Sequence, residues 1–136
     1  MAVYLANKGI LTVNAVDLSA LVTNITINRS FDELEVTALG DGGHRYIKGL
    51  EASSITIDFL NDSDSSKTLQ TLNSQWGNNV TVTFKQQDAV ISASNPLYTM
   101  TCLINNTTPV NGAVADLSTQ SVTWNVSGTI EVDTTP

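Results

Sequence analysis

Ser54-Ile55-Thr56-Ile57-Asp58-Phe59-Leu60 alternates polar and apolar side chains along its length. A strand sends successive side chains to opposite faces, so Ile55, Ile57 and Phe59 share one face while Ser54, Thr56 and Asp58 share the other. The same period recurs in Val80, Val82 and Phe84, with Thr81, Thr83 and Lys85 between and after them. It recurs again in Val122, Trp124 and Val126, which alternate with Thr123, Asn125 and Ser127. Ile25 and Ile27 alternate with polar neighbours in the stretch from Val22 to Arg29. One apolar and one hydroxyl- or amide-rich face is the signature of antiparallel sheet packed on one side. The chain therefore reads as mainly β, an antiparallel sandwich or barrel.

Leu97 to Ile104 departs from this pattern. Tyr98, Met100, Cys102 and Ile104 share one face, Leu97, Thr99, Thr101 and Leu103 the other, and the reading expects both to be covered. Residues 10–13 and 129–132 are weaker strand candidates. Between Asp64 and Gly77 the period changes: Leu69, Leu72 and Trp76 recur at i, i+3 and i+7, one stripe of a helix. The spacing predicts a single short flanking helix capped by Asp62, Ser63 or Asp64, with Gly77 at C′ and the stripe packed on a sheet. No repeat or low-complexity linker divides the 136 residues, which suit one domain with a frayed, flexible tail at about 133–136.

The bulk chemistry excludes several functions. Charged residues are 14% of the chain, and the net charge is −7 from 6 Lys+Arg and 13 Asp+Glu. A duplex DNA binder replaces phosphate counterions with Lys and Arg, and six scattered cations make no such stripe. His44 is the only histidine and lies in the Gly-rich run Asp41-Gly-Gly-His-Arg45, a poor platform for acid–base geometry. An interface role suits it better, and no catalytic residue is expected. One His and one Cys cannot build a zinc site. Asp62-Ser-Asp64 lacks the glycine and the closing acid of a calcium loop. Gly40-Asp-Gly-Gly43 lacks the Gly-Lys-Ser/Thr ending of a phosphate loop. No cofactor or metal is expected. Cys102 reads as a buried strand residue, and both Trp76 and Trp124 as core. The first eight residues do not read as a signal peptide, and no apolar run is long enough for a membrane helix, so a cytoplasmic origin without membrane contact is expected. The Asn24-Ile-Thr26 and Asn28-Arg-Ser30 triplets then carry no glycosylation message.

The segment 30–50 does not fit the strand pattern. Gly40, Gly42, Gly43 and Gly49 punctuate it, yet it carries Phe31, Leu34, Val36, Leu39, Tyr46, Ile47 and Leu50. A long connection in a small domain is uncommon unless functional. An apolar one needs a surface to cover it. The reading expects a long interface loop at about 30–50, with those seven residues and His44 against another copy of the chain.

The order of blocks resembles the major tail (tail tube) proteins of long-tailed bacteriophages, especially those of actinobacteriophages. The resemblance rests on Asp17-Leu-Ser19 before Val22-Thr-Asn-Ile-Thr-Ile27, and on Phe31-Asp-Glu-Leu-Glu-Val-Thr-Ala-Leu-Gly-Asp41. It continues through His44-Arg-Tyr-Ile-Lys-Gly-Leu50, the strand 54–60, Asn95-Pro-Leu-Tyr98, and Pro109 to Trp124 with Gly128-Thr129. It spans roughly residues 15–130 and lies in order and spacing; no single motif is diagnostic.

The resemblance implies a structural virion protein and not an enzyme. It implies rings of six copies, stacked into a tube through which DNA passes without specific binding. Other tail proteins, such as the tape measure and the terminator, are the implied partners, and the virion tail is the implied location. Strand edges joined to neighbours, a covered loop and a DNA-repelling acidic wall would each fit that picture. Asp58 and Glu131, on polar strand faces, are the expected lumen-facing acids. The alternatives are another virion β-protein, such as a capsid decoration or tail terminator subunit, and a carbohydrate-binding β-sandwich.

Overall fold

The computed structural model describes residues 8–136, so the signal-peptide expectation falls largely outside the described residues. In chain order the elements are β1 (Ile10–Val13), β2 (Val16–Asp17), a 3-10 turn (Ser19–Leu21), β3 (Val22–Asn28), β4 (Phe31–Glu35) and β5 (Tyr46–Glu51). They continue with β6 (Ser54–Leu60), α1 (Thr68–Ser74), β7 (Asn79–Lys85), β8 (Leu97–Leu103), β9 (Thr119–Asn125) and β10 (Glu131–Asp133). The protein is mainly β with one α-helix among the described residues. Every strand pairing is antiparallel.

One sheet has the order β10-β8-β7-β1-β2 and a second β3-β6-β9; β4 and β5 form a separate two-stranded ribbon. The period-two faces meet in one core. Leu11, Val13, Val80, Val82, Phe84, Met100 and Cys102 come from the larger sheet, and Ile55, Ile57, Phe59, Val122 and Trp124 from the smaller. Trp124 is fully buried, packs on the Phe59 ring at a centroid separation of 6.5 Å, and donates Nε1–H to the Asn106 carbonyl at 3.2 Å. At one corner the sheets join. The chain leaving β9 bridges Cys102 with Val126, and Ser127 N–H donates to the Thr101 carbonyl at 2.7 Å before β10 pairs with the start of β8. At the opposite side β3 is an edge, paired only with β6.

Three sequence expectations are corrected. First, β8 is buried on one face only. Met100 and Cys102 are enclosed, while Thr101 and Leu103 on the other face are exposed because nothing packs on the outside of the larger sheet there. Second, the helix buries a different stripe: Thr68, Thr71 and Leu72, with Leu69 half-buried. Thr68 Oγ1 donates to the Leu60 carbonyl at 2.9 Å and so pins the helix start to the end of β6. The helix stops at Ser74, so the i+7 projection fails for Trp76, which is 57% exposed and not core. Lys67 is the N-cap, without a side-chain bond; Asp62 Oδ1 instead accepts from Asp64 N–H at 2.9 Å in the turn before it. Gly77 has the left-handed φ of +81° but stands one place beyond C′, which Trp76 occupies. Third, the last strand is Glu131–Asp133, shifted from 129–132, and its Asp133 lies within the expected tail.

Candidate functional site

The segment 30–50 is not a loop but most of a β-hairpin, a correction to its expected form. Period-two patterning is weak there because neither face is covered, so both carry apolar and charged residues. Register runs Phe31↔Glu51, Glu33↔Lys48, Leu34↔Ile47 and Glu35↔Tyr46. Directly opposed residues share a face. Phe31, Glu33, Glu35, Tyr46, Lys48 and Glu51 therefore line one face, and Leu34 and Ile47 the other. Between Phe31 and Glu33 the register shifts: Gly49 and Leu50 together oppose Asp32, a bulge on β5. Glycine is required at 49, because a Cβ there would lie 2.9 Å from both the Cβ and the carbonyl oxygen of Asp32.

The far end closes through a hydrogen-bonded turn. Val36 N–H donates to the Arg45 carbonyl at 2.8 Å, and Asp41 N–H to the Ala38 carbonyl at 3.1 Å. Gly40 holds φ +94° at the third position of the Ala38–Asp41 turn, where only a positive φ closes a type II geometry. That leaves Leu39 at the outermost position, fully exposed. Asp41 Oδ2 accepts from Ala38 N–H at 2.7 Å, and its other oxygen lies 3.6 Å from Arg45 Nη1. The Glu35 carboxylate accepts from His44 Nδ1 at 2.6 Å and from Thr37 Oγ1 at 2.9 Å. The acid stands between hydroxyl and imidazole, whereas a nucleophilic relay needs the imidazole between the other two.

The root is tied to the body. Ala52 N–H donates to the Ser30 carbonyl at 2.7 Å, and Ser30 Oγ to the Ala52 carbonyl at 2.8 Å. Glu51 Oε2 accepts from Ile130 N–H at 2.9 Å and from Ser53 Oγ at 2.7 Å. The Ile130 and Ser53 bonds hold the Glu51 carboxyl below its ordinary range. Lys48 Nζ lies 5.4 Å over the Phe31 ring. Beyond these ties the ribbon stands clear of the domain. Phe31, Leu34, Tyr46 and Ile47 are about half exposed, Val36 slightly less, and Leu50 82% exposed. A lone two-stranded ribbon is at best marginally stable in water. Burying such side chains contributes about 1.5–3 kcal/mol each before ordering costs.

All eight expected interface residues thus fall on one structural unit. The two expected lumen acids do not come together. Asp58 lies on the outer face of the smaller sheet, between Asn24 and Ser121. Glu131 lies on the edge of the larger sheet beside Thr99. Both outer faces are hydroxyl-rich. A row of Thr26, Thr56 and Thr123 crosses the smaller sheet, with Thr56 and Thr123 hydroxyls bonded at 3.0 Å. A row of Asp17, Thr12, Thr83, Thr99 and Glu131 crosses the larger, with Thr12 bonded to Thr83.

Sequence reasoning missed a second exposed apolar group in 109–118. Val110, Val114 and Leu117 are almost wholly in solvent there. The signal was available, since apolar residues without period around Gly112 repeat the logic applied to 30–50. Cys102 is enclosed as expected, and burial pushes its thiol up to about 11. Among the described residues no helix is long and apolar enough to cross a membrane. No protein-family model matches the chain, and no curated protein matches it.

Proposed function

We propose that the chain is a structural subunit that assembles with copies of itself, as a tail tube protein of a long-tailed phage does, into rings stacked around a passage for DNA. The observation that carries this reading is the hairpin of β4 and β5. It projects apolar side chains on both faces, has no cover within its own chain, and is held at its root by directed hydrogen bonds. A surface of this kind marks a protein–protein contact. The β3 edge, with unpaired backbone groups, adds a margin suited to strand pairing with a neighbour. The rows of hydroxyls with few cations support the passage. A wall with net negative charge and no Lys or Arg stripe lets phosphate slide past without sticking. Because Asp58 and Glu131 lie on different sheets, a passage lined by one sheet face takes one of them. The resemblance of the block order is what favours tail tube over capsid decoration or tail terminator.

The test is negative-stain microscopy of purified protein with rotational averaging. Rings or tubes with a central opening support the reading, and compact trimers point to a decoration protein. A second reading, a carbohydrate-binding module, is favoured by the exposed Trp76 indole. It predicts a shift of Trp76 fluorescence on adding glycans, whereas the tail tube reading predicts none.

A further inference from the structure

Asn111-Gly112 is the only Asn-Gly pair in the chain. The backbone nitrogen of the residue after an asparagine can attack the side-chain amide carbon and close a five-membered ring. A Cβ on that next residue crowds the approach, and glycine has none. Elsewhere bulkier residues follow: Ile after Asn24, Arg after Asn28, Thr after Asn106, and Val after Asn79 and Asn125. Asn95 precedes a proline, and its buried amide donates to the Gln87 and Ala89 carbonyls. Asp41-Gly42 could close the same ring, but a carboxylate is a poor electrophile, and Asp41 already accepts from Ala38 N–H and faces Arg45.

The fold leaves this pair open. Both residues are exposed, and Gly112 N–H has no acceptor among the described residues. Gly112 holds φ +146°, which L side chains rarely adopt, so the backbone path itself calls for glycine. The segment around the pair meets the smaller sheet where Leu60 pairs with Thr119, the end opposite the one the hairpin leaves, marked by Asn28, Ser54 and Asn125. One end of the segment is pinned by Thr108 N–H, which donates to Gln120 Oε1 at 2.9 Å. The other is pinned by Asn61 Nδ2, which donates to Ser118 Oγ at 2.9 Å. Between the pins, residues 109–117 make one hydrogen bond to the body among the described residues: Asn111 Nδ2 donates to the Thr119 carbonyl at 2.9 Å. The donor of that bond is the group the ring closure expels.

We infer that Asn111 is a deamidation site whose conversion unties the segment 109–117 from the body. Gly112 N forms a bond to Asn111 Cγ, the Cγ–Nδ2 bond breaks, and Nδ2 leaves as ammonia with the proton of Gly112 N–H. Water then opens the succinimide at either carbonyl. Opening at Cγ leaves aspartate; opening at the main-chain carbonyl leaves isoaspartate, with the chain rerouted through Cγ. Nothing is oxidised or reduced. Neither product keeps the N–H donor that the Thr119 carbonyl accepts from, and each adds a negative charge to a segment that holds Asp116. The reaction needs no partner, so it stands independently of the self-assembly reading.

The experiment incubates the full chain in mildly alkaline buffer, folded or unfolded in guanidinium, and maps its chymotryptic peptides by mass spectrometry. Cleavage after Leu103 and Leu117 frees a peptide that carries Asn105 and Asn106 as internal controls. The folded chain is expected to gain, at Asn111 alone, the mass of OH in place of NH2, with one oxygen-18 atom taken up from labelled water and isoaspartate detectable by enzymatic methylation. Asn111→Gln, which keeps an amide donor but closes the ring far more slowly, is expected to lose the gain. Asn111→Asp installs one product directly. Native-state cleavage after its Leu117 is expected to quicken relative to cleavage after Leu39 of the hairpin, because proteolysis follows the population of the opened segment. A folded chain that keeps Asn111 intact overturns the inference; conversion in guanidinium alone would show that the Thr119 bond guards the amide. Equal cleavage after Leu117 in Asn111→Asp and wild type overturns it as well.

Discussion

At the residue scale the two tryptophans separate packing from periodicity. Trp124 stands on a strand whose alternation holds to its end, so its burial follows from its phase. Trp76 stands two residues past the last helical residue, where the phase no longer applies. Trp124→Ala is expected to lower the unfolding free energy by about 3–5 kcal/mol, through lost transfer energy and the cavity left behind. Trp76→Ala is expected to change it by no more than about 0.5 kcal/mol. Urea unfolding followed by far-UV circular dichroism checks both. Cys102 is expected to resist thiol reagents at neutral pH while folded and to react fully in denaturant, since a thiol pushed up to about 11 holds almost no thiolate.

Acid sensitivity also belongs to single groups. The Ile130 and Ser53 bonds lower the Glu51 carboxyl, and the Ser19 bonds lower that of Asp17. A lowered carboxyl stabilises the fold above its ordinary value, 4.5 for Glu51 and 3.8 for Asp17. That contribution is lost as pH falls through the lowered folded value. The urea midpoint is therefore expected to fall between pH 5 and acid conditions. Glu51→Gln, which keeps an acceptor but no titrating charge, is expected to flatten part of that fall.

At the element scale, what the sequence disclosed depended on whether a face was covered. β6, β7 and β9 each pack one face on the core, so their period announced them. β4 and β5 pack neither face, so Phe31, Leu34, Tyr46 and Ile47 carried no readable period and the glycines suggested a loop. The residues of the site were legible as apolar and out of pattern; the hairpin, with its bulge at Gly49, was not. The 109–118 group was overlooked because it interrupts no strand. The bulge supplies an element-scale test. Gly49→Val sets a side chain against the Asp32 backbone and is expected to disturb the ribbon register without touching the core. Amide exchange across 31–51 should quicken while β6 and β9 stay protected. Leu39→Asp is expected to leave the urea midpoint unchanged and to abolish assembly, since Leu39 touches nothing in its own chain.

At the scale of the whole molecule, the low charge content has a structural meaning. Eight of the 19 charged residues lie in 29–51, and the outer sheet faces are mostly Thr, Ser and Asn with a few acids, Asp17, Asp58 and Glu131 among them. The body holds the other 11, 8 acidic and 3 basic, and so most of the net negative charge; it carries a charge-dense, apolar-decorated arm at one end and an apolar segment at the other. A solitary protein gains nothing from that arrangement, because ordering an uncovered ribbon costs conformational entropy with no burial in return. A chain that repeats itself gains cover for both ends. The direct measurement is sedimentation velocity of the wild-type chain over a hundredfold concentration range, run beside a variant lacking residues 41–46. The account predicts large, concentration-dependent species for the wild type and a folded monomer for the deletion. A wild-type chain that stays monomeric at the highest concentration, or a deletion variant that assembles equally well, would contradict it.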